Sequence, residues 1–468
     1  MREGVHNMSR LKSRWSLLPV VLALAWPTML EQMLHTAVQY IDTAMVGSLG
    51  TTATAAVGST TTVGWLVNSS ISAMGIGFLA YISRACGAGE HQKARSASAQ
   101  AVLVVLVLGT LFTAVTLSLS GYVPVWMQVD PAAQELSRWY FFILYLPMLP
   151  RTASIVFGTV LRAAGDTKTP MLVGLLVNII NVVLNFLLIY PVREVALFGR
   201  QWTIWGAGWG VLGAAAASAV AFAVGGVVIT MALWRHATVS PKGFSLKPNP
   251  QVLKPCLKVA LPNMLQRFGT SLGYVAFASM INALGEVATA AHTIANTVES
   301  AFYVPGYGMQ AAAATLSGNA IGAKDPQKMR DFTRVILWIE VGLMILSGGL
   351  LFAFAPSMMR LFTESTAVIA LGAVVLQMVA LSEPIYGVSI IIEGILQGAG
   401  KTSVPFVFNI IGMWGVRIVG TLVCTQMLDG GLIAAWGCMI AHNVLLFVLF
   451  LTYWWRGRWN PLKNLKTT

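Results

Sequence analysis

Residues 87–95 read GAGEHQKAR, and residues 322–330 read GAKDPQKMR, 235 positions further on. Three more pairs keep that offset: LRAAGDTKTP (161–170) with LQGAGKTSVP (396–405), PTML (27–30) with PNML (262–265), and LGTTATAA (49–56) with LGEVATAA (284–291). One offset met four times, with no gap across about 140 residues, marks a tandem duplication. The fold of one half is therefore repeated in the other.

The stretches between these turns are apolar. The chain has 468 residues, of which 56% are hydrophobic and 10% charged, with a mean hydropathy of +0.72. A soluble domain is about a quarter charged. This chain has too few polar side chains to cover a water-facing surface, so it is read as a polytopic membrane protein. A spanning helix needs roughly 20 apolar residues. Twelve candidates lie near 16–46, 52–82, 97–120, 134–160, 168–191, 209–234, 256–283, 287–318, 332–355, 367–396, 403–426 and 431–455. Period-2 alternation is not found, which argues against a transmembrane barrel. The expected fold is all-α.

Six spans per half is an even number, so both halves enter the membrane in the same orientation. A pseudo-twofold axis along the membrane normal would relate them, as in parallel-repeat transporters. The basic, proline-containing stretch 235–255, RHATVSPKGFSLKPNPQVLKP, reads as a cytoplasmic linker between lobes 1–234 and 256–468. Two lobes with a cleft between them suit alternating access by rocking.

The net charge of +13 follows topology rather than a nucleic-acid footprint. With twelve spans, the side that holds both termini collects 23 of the 30 Lys and Arg, including Arg2, Arg10, Lys12, Arg14, Arg458 and Lys466 in the tails. The opposite loops hold Arg138, Arg193, Arg200 and Arg360. By the positive-inside rule both termini are cytoplasmic. The first span is too long for a signal-peptide core and has no obvious cleavage site, so it is expected to remain. Cys86, Cys256, Cys424 and Cys438 are scattered and form no CxxC, so neither a metal site nor a disulfide framework is expected.

Ionisable groups inside the spans are the candidates for function. A carboxylate at mid-bilayer costs about 2.5–3.5 kcal/mol on insertion scales, and such groups face a bundle interior or a wet cavity. In the first span Glu31, His35 and Asp42 share one helical face, which Gln39 approaches. That stripe is either a polar packing seam or a proton or cation site. The fifth span has a second stripe, Asn178, Asn181 and Asn185; the matched positions in the second half are Met413, Val416 and Gly420. The halves have diverged there, which places ion chemistry in the first. In the second half Glu299 and Glu383 lie toward mid-membrane and suit a cavity for cationic substrates. Each is equally open to a structural ion pair. Glu340 reads as structural or interfacial, Glu393 and Arg267 as a structural pair, and His292 and His442 as packing residues. The small-residue run 206–226, GAGWGVLGAAAASAVAFAVGG, suits close helix contact. Neither AAGDTKTP nor GAGKT has P-loop spacing, so ATP is not the expected energy source. No nucleophile arrangement is visible, and the reading is a transporter rather than an enzyme.

The DTAMVGSLG after the first span, the paired loops quoted at the start, and LRAAGDTKTPM before an Asn-rich span together resemble the multidrug and toxic compound extrusion (MATE) family. The resemblance runs from about Leu18 to Trp455. It implies a V-shaped pair of six-helix bundles in the plasma (inner) membrane that exports organic cations and other amphiphilic drugs in exchange for H⁺ or Na⁺. No cofactor beyond that ion is implied, and a monomer supplies both halves. Asp42 matches the family's first-span acid, which binds the coupling ion, and Asn181 matches an Asn beside it. Asn185 stands where one branch has an Asp. A sodium-coupled branch has a seventh-span Glu where this chain offers Gly269 or Thr270, and a tenth-span Asp near the position of Tyr386. Glu299 is the matching candidate for an acid in the second lobe. The alternative is a flippase for lipid-linked or oligosaccharide precursors, which would need a basic cavity.

Overall fold

A chain with this little polarity crosses lipid only if each segment closes its own backbone hydrogen bonds, and helices do that. The computed structural model describes residues 17–197, 200–428, 430–457 and 459–463. The basic residues Arg2, Arg10, Lys12, Arg14, Arg458 and Lys466 lie outside the described residues, as does Ser16 at the start of the first expected span. Helices stand at all twelve expected positions. They are α1 (Leu18–Gly47), α2 (Thr51–Gly87), α3 (His91–Leu119), α4 (Pro131–Tyr145, continuing as Met148–Ala163), α5 (Lys168–Leu188) and α6 (Gly210–Arg235). The second half has α7 (Pro250–Asn282), α8 (Glu286–Gly322), α9 (Pro326–Arg360), α10 (Thr366–Ala380, continuing as Glu383–Gly398), α11 (Ser403–Gln426) and α12 (Leu432–Arg456).

Among the described residues, seven of these helices are long and apolar enough to cross a membrane, and the two bent pairs α4 and α10 bring the number to nine. The other three, α1, α7 and α8, have 30, 33 and 37 residues, so length is not what they lack. Polar side chains and internal prolines (Pro27, Pro255, Pro262 and Pro305) lower their apolar character. The expected count of twelve spans turns on these three.

The offset of 235 governs the backbone as well as the letters. α2 and α8 begin and end at matched positions, and α4 and α10 break at matched positions with bends of 50° and 54°. Left-handed turn residues also match: Gly50 with Gly285, Gly89 with Lys324, and Gly165 with Gly400. At the last pair the chain leaves a helix and folds back. Asp166 N–H donates to the Leu161 carbonyl at 3.0 Å, and Lys401 N–H to Leu396 at 2.8 Å. Glycine takes the positive φ these closures need without Cβ strain. The two stretches quoted first are the α2–α3 and α8–α9 turns. In the second, Asp325 caps α9 by accepting from Gln327 N at 3.0 Å and Lys328 N at 2.9 Å, with Pro326 next in line.

The match ends after α5. There the first half inserts an antiparallel hairpin, β1 (Pro191–Leu197) and β2 (Arg200–Ala207), with a register irregularity between Pro191 and Arg193. The hairpin adds two short strands to the expected all-α framework. The hairpin's exit closes α5: Trp209 N–H donates to Leu188 O at 2.9 Å, Gly210 N–H to Ile189 O at 3.0 Å, and Gly208 N–H to Tyr190 O at 3.0 Å. These are the orphan carbonyls every helix end leaves.

The described chain forms two compact units. One comprises Met33–Phe78 and His91–Leu253. Its core beside the site gathers Val46, Ala53, Tyr140, Ile189, Val211, Ala214 and Ala215. The stretch between α6 and α7 is tied to α3 in this unit, because Arg95 Nε donates to Ser240 O at 3.1 Å and Gln100 Nε2 to Lys247 O at 3.0 Å. The other unit takes the chain up to Gln32, Leu79–Glu90, and everything from Lys254 on. There Thr28 Oγ1 donates to Gly308 O at 2.8 Å, joining α1 to α8. Compact units and sequence halves are thus different divisions of the chain, since α1 and α2 are each shared between units.

Candidate functional site

α1 carries Asp42 to a half-buried position against α5. On α5, Asn181 and Asn185 are four residues apart and share a face; both are buried. Asn185 Nδ2 donates to Asp42 Oδ1 at 2.6 Å, a short, charge-assisted bond. The Asn181 amide is oriented with its nitrogen toward the carboxylate, because the opposite orientation would set oxygen against oxygen. So oriented, Asn181 donates to Asp42 Oδ1 at 2.8 Å and accepts from Ser218 Oγ at 2.9 Å. Asn185 Oδ1 is buried with no hydrogen-bond partner.

Ser218 reaches this group because α6 is small-sided. A Cβ at Gly213 would lie 2.5 Å from Leu188 O, and one at Gly225 would strike Val177. Tyr190 holds the end of α5 to the end of α1, its hydroxyl 3.0 Å from Ser48 Oγ. The result is an oxygen-rich cluster: a carboxylate, an unpartnered amide oxygen and a serine hydroxyl. It can take a proton at the carboxylate or a small hard cation among the oxygens.

The structure therefore brings Asp42, Asn181 and Asn185 together. Asn178 lies one turn earlier on α5 and is half-buried. Gln39 and His35 lie on exposed positions of α1. Glu31 is half-buried on the part of α1 that belongs to the other compact unit.

In that second unit, besides Asp331 near the start of α9, three carboxyls from three helices are buried: Glu299 on α8, Glu340 on α9 and Glu383 at the start of the second segment of α10. Glu299 and Glu340 both lie near Glu383. Glu340 has no accessible surface, and neither of its oxygens has a partner. It sits between two glycines: a Cβ at Gly306 would lie 2.6 Å from Glu340 Oε1, and one at Gly387 3.1 Å. The interfacial reading of Glu340 is thereby corrected. Beside the cluster, Tyr307 and Tyr386 share a hydroxyl contact of 3.0 Å, and Tyr303 meets both rings edge-on.

Arg417 is the cation of this region. It lies in a π-helical segment of α11, Ile411–Ile418, a widened turn of the kind found at functional sites. Its guanidinium lies 4.3 Å from the Phe277 ring and 4.9 Å from the Tyr274 ring, while Nη2 donates to Met439 Sδ at 2.7 Å. Glu393 is held by Gln266, Gln397 and Asn409 amides at 2.9–3.2 Å, with Arg267 near it. Trp436 Nε1 donates to His292 Nδ1 at 3.3 Å; both nitrogens of buried His442 are without partners.

Sequence reasoning missed Arg151. It lies on the second segment of α4, stacked 4.5 Å from the Phe222 ring and 5.6 Å from the Tyr145 ring. An Arg in the middle of the fourth span, well inside from Arg138 at its start, was the available signal.

The MatE family model matches residues 27–187 and again 262–423, two copies that start 235 residues apart. Among curated proteins, the chain is 26% identical to a probable multidrug resistance protein NorM of Thermotoga maritima, over 94% of this chain and 92% of that one. It is 24% identical to multidrug and toxin extrusion protein 1 of Mus musculus, over 94% and 76%. Among solved structures, a MATE protein in complex with MaL6 superposes with a TM-score of 0.86 at 24% identity, covering 95% of this chain and 96% of that one. A MOP superfamily transporter from Pyrococcus furiosus gives 0.85 at 23% identity, with 96% of each chain covered. These names lend no support to the lipid-linked precursor reading. With two family matches that together cover most of its length, and a fold shared with solved members, the chain belongs to the MatE family, that of the multidrug and toxic compound extrusion transporters.

Proposed function

We propose that the protein is a secondary-active antiporter that exports organic cations and amphiphilic drugs in exchange for H⁺ or Na⁺. The observation that carries this reading is the cluster at Asp42, with its short bond from Asn185 and the unpartnered Asn185 oxygen. The names of the relatives favour drugs as the cargo.

The chemistry follows from the hydrogen-bond inventory. With Asp42 ionised, Asn185 and Asn181 both donate to it and tie α1 to α5. A proton on Asp42 turns one acceptor into a donor, and Asn185 Oδ1 is the buried acceptor at hand. A Na⁺ ion would instead draw the carboxylate and amide oxygens together. Either ion changes how α1 meets α5, and two arrangements of different ion affinity are what coupling needs. Halves 1–234 and 256–468 act as the two lobes, both termini are cytoplasmic, and a monomer in the plasma membrane suffices. In their own unit Glu299, Glu383 and Tyr386 offer carboxyl and phenol groups to a cationic cargo; in the unit of Asp42, Asn178 and Gln39 offer amides. Glu31 and His35 extend the polar face of α1 toward the cytoplasm.

The test is efflux of a fluorescent organic cation from proteoliposomes under separately imposed pH and Na⁺ gradients. Wild type should export under one gradient, and Asp42→Asn under neither. No cation movement by wild type under either gradient would overturn drug antiport. Wild-type rates in Asp42→Asn would remove Asp42 from coupling.

A further inference from the structure

We infer that Cys424 and Cys438 form a reversible dithiol–disulfide site that staples the end of α11 to α12. Their sulfurs are 3.7 Å apart, with the Cys438 thiol placed to donate to Cys424 Sγ. Both cysteines are free and half-buried, whereas Cys256 is fully buried.

Three features place the thiols together. Gly420, one turn before Cys424, leaves a gap on α11; a Cβ there would lie 3.2 Å from Cys438 Sγ. The Cys438 side chain is thereby turned toward α11. The connection between the helices is short and fixed at its root, because Gly430 N–H donates to the Cys424 carbonyl at 2.7 Å and Met427 N–H to Val423 O at 3.0 Å. A Cβ at Gly430 would lie 2.7 Å from that same carbonyl, so the loop cannot swing away freely. The pair is thus held in van der Waals contact, with backbone contacts on both sides. A disulfide needs about 2.05 Å between sulfurs, so the thiols must close from their present 3.7 Å to form one.

The oxidant is an external disulfide, protein or small molecule. One cysteine thiolate attacks a sulfur of R–S–S–R, forming a mixed disulfide and releasing the first RS⁻. The second thiolate attacks the bonded cysteine sulfur and expels the second RS⁻. The two thiol protons end on the two RS⁻ groups, and two electrons pass from the cysteine pair to the reagent. Under the proposed topology the α11–α12 connection faces away from the cytoplasm, where disulfides persist. The staple would close just beyond the π-helical segment that carries Arg417.

The test uses the purified full-length protein in detergent, treated with 4,4′-dithiodipyridine and mapped by peptide mass spectrometry. The expected product is a linked peptide containing Cys424 and Cys438, free of pyridyl adduct and separated by dithiothreitol. Cys424→Ser should instead carry a single pyridyl adduct on Cys438. Separate adducts on both wild-type thiols, a link from either to Cys86 or Cys256, or two unmodified thiols after exhaustive treatment would each overturn the inference.

Discussion

Gly87 and Gly322 occupy matched positions of the two repeats and lie against each other's helices. A Cβ at Gly87 would strike the Asn319 carbonyl, and one at Gly322 the Arg84 carbonyl. One turn earlier a Cβ at Gly318 would strike the side chain of its matched residue, Ser83. The ends of α2 and α8 therefore cross backbone to backbone, within one compact unit, with a local twofold relation. Gly322→Ala should be overpacked against a carbonyl that cannot rotate away, at a cost of about 1–3 kcal/mol. The check is thermal unfolding in detergent, with Gly349→Ala as control, because a Cβ there meets nothing within 4 Å. Equal melting temperatures for the two variants would refute the close crossing.

Asn185 should matter more for transport than for folding. Asn185→Leu removes the 2.6 Å donor to Asp42 and the buried oxygen that has no partner. Losing a bond to a charged group costs about 1.5–3 kcal/mol, partly offset because a buried unsatisfied oxygen leaves too. Under the proposed coupling, ion-driven efflux should fall at least tenfold while the melting temperature moves by only a few degrees. Efflux within twofold of wild type would exclude Asn185 from the ion site.

Glu340 should behave in the opposite way on stability. A fully buried carboxyl with two unpartnered oxygens contributes no pairing, so an apolar replacement of similar length relieves its desolvation. Glu340→Met should raise the melting temperature. If the variant also loses efflux, the group is kept for function at the expense of stability. A clear drop in melting temperature would mean that Glu340 has a stabilising partner after all.

Much of this architecture was legible because duplication and apolarity are one-dimensional signals. The quoted turns and their common offset mark where α2 gives way to α3 and α8 to α9. Asp42, Asn181 and Asn185 were legible as polar residues at helical spacing inside apolar runs. What was not legible depends on contacts between helices. Glu340 looks like any isolated Glu until Gly306 and Gly387 are seen to wall it in. The thiol pair is 14 residues apart in sequence and follows no spacing rule. The hairpin was missed because its strands are short and carry Arg193, Glu194 and Gln201 among the apolar residues, so no clean alternation stands out. Each strand is defined by its pairing with the other.

The hairpin offers a last test, since the second half does without one. Between α11 and α12 there are five residues, Met427–Leu428 and on to Gly431, and the α11 end is closed by Gly430 N–H on Cys424 O. In the first half the same task falls to Gly208, Trp209 and Gly210, not to the strands themselves. Replacing Pro191–Ala207 by a short flexible linker that keeps Gly208–Gly210 should leave the melting temperature within a few degrees. Removing Gly208–Gly210 as well strips the donors from the Leu188, Ile189 and Tyr190 carbonyls, one turn from Asn185. That variant should unfold at lower temperature and lose coupled efflux, because the last turn of α5 then frays and releases the donor to Asp42. Paired melting and efflux measurements on the two deletions decide the matter. If the first deletion is as damaging as the second, the strands themselves support the site.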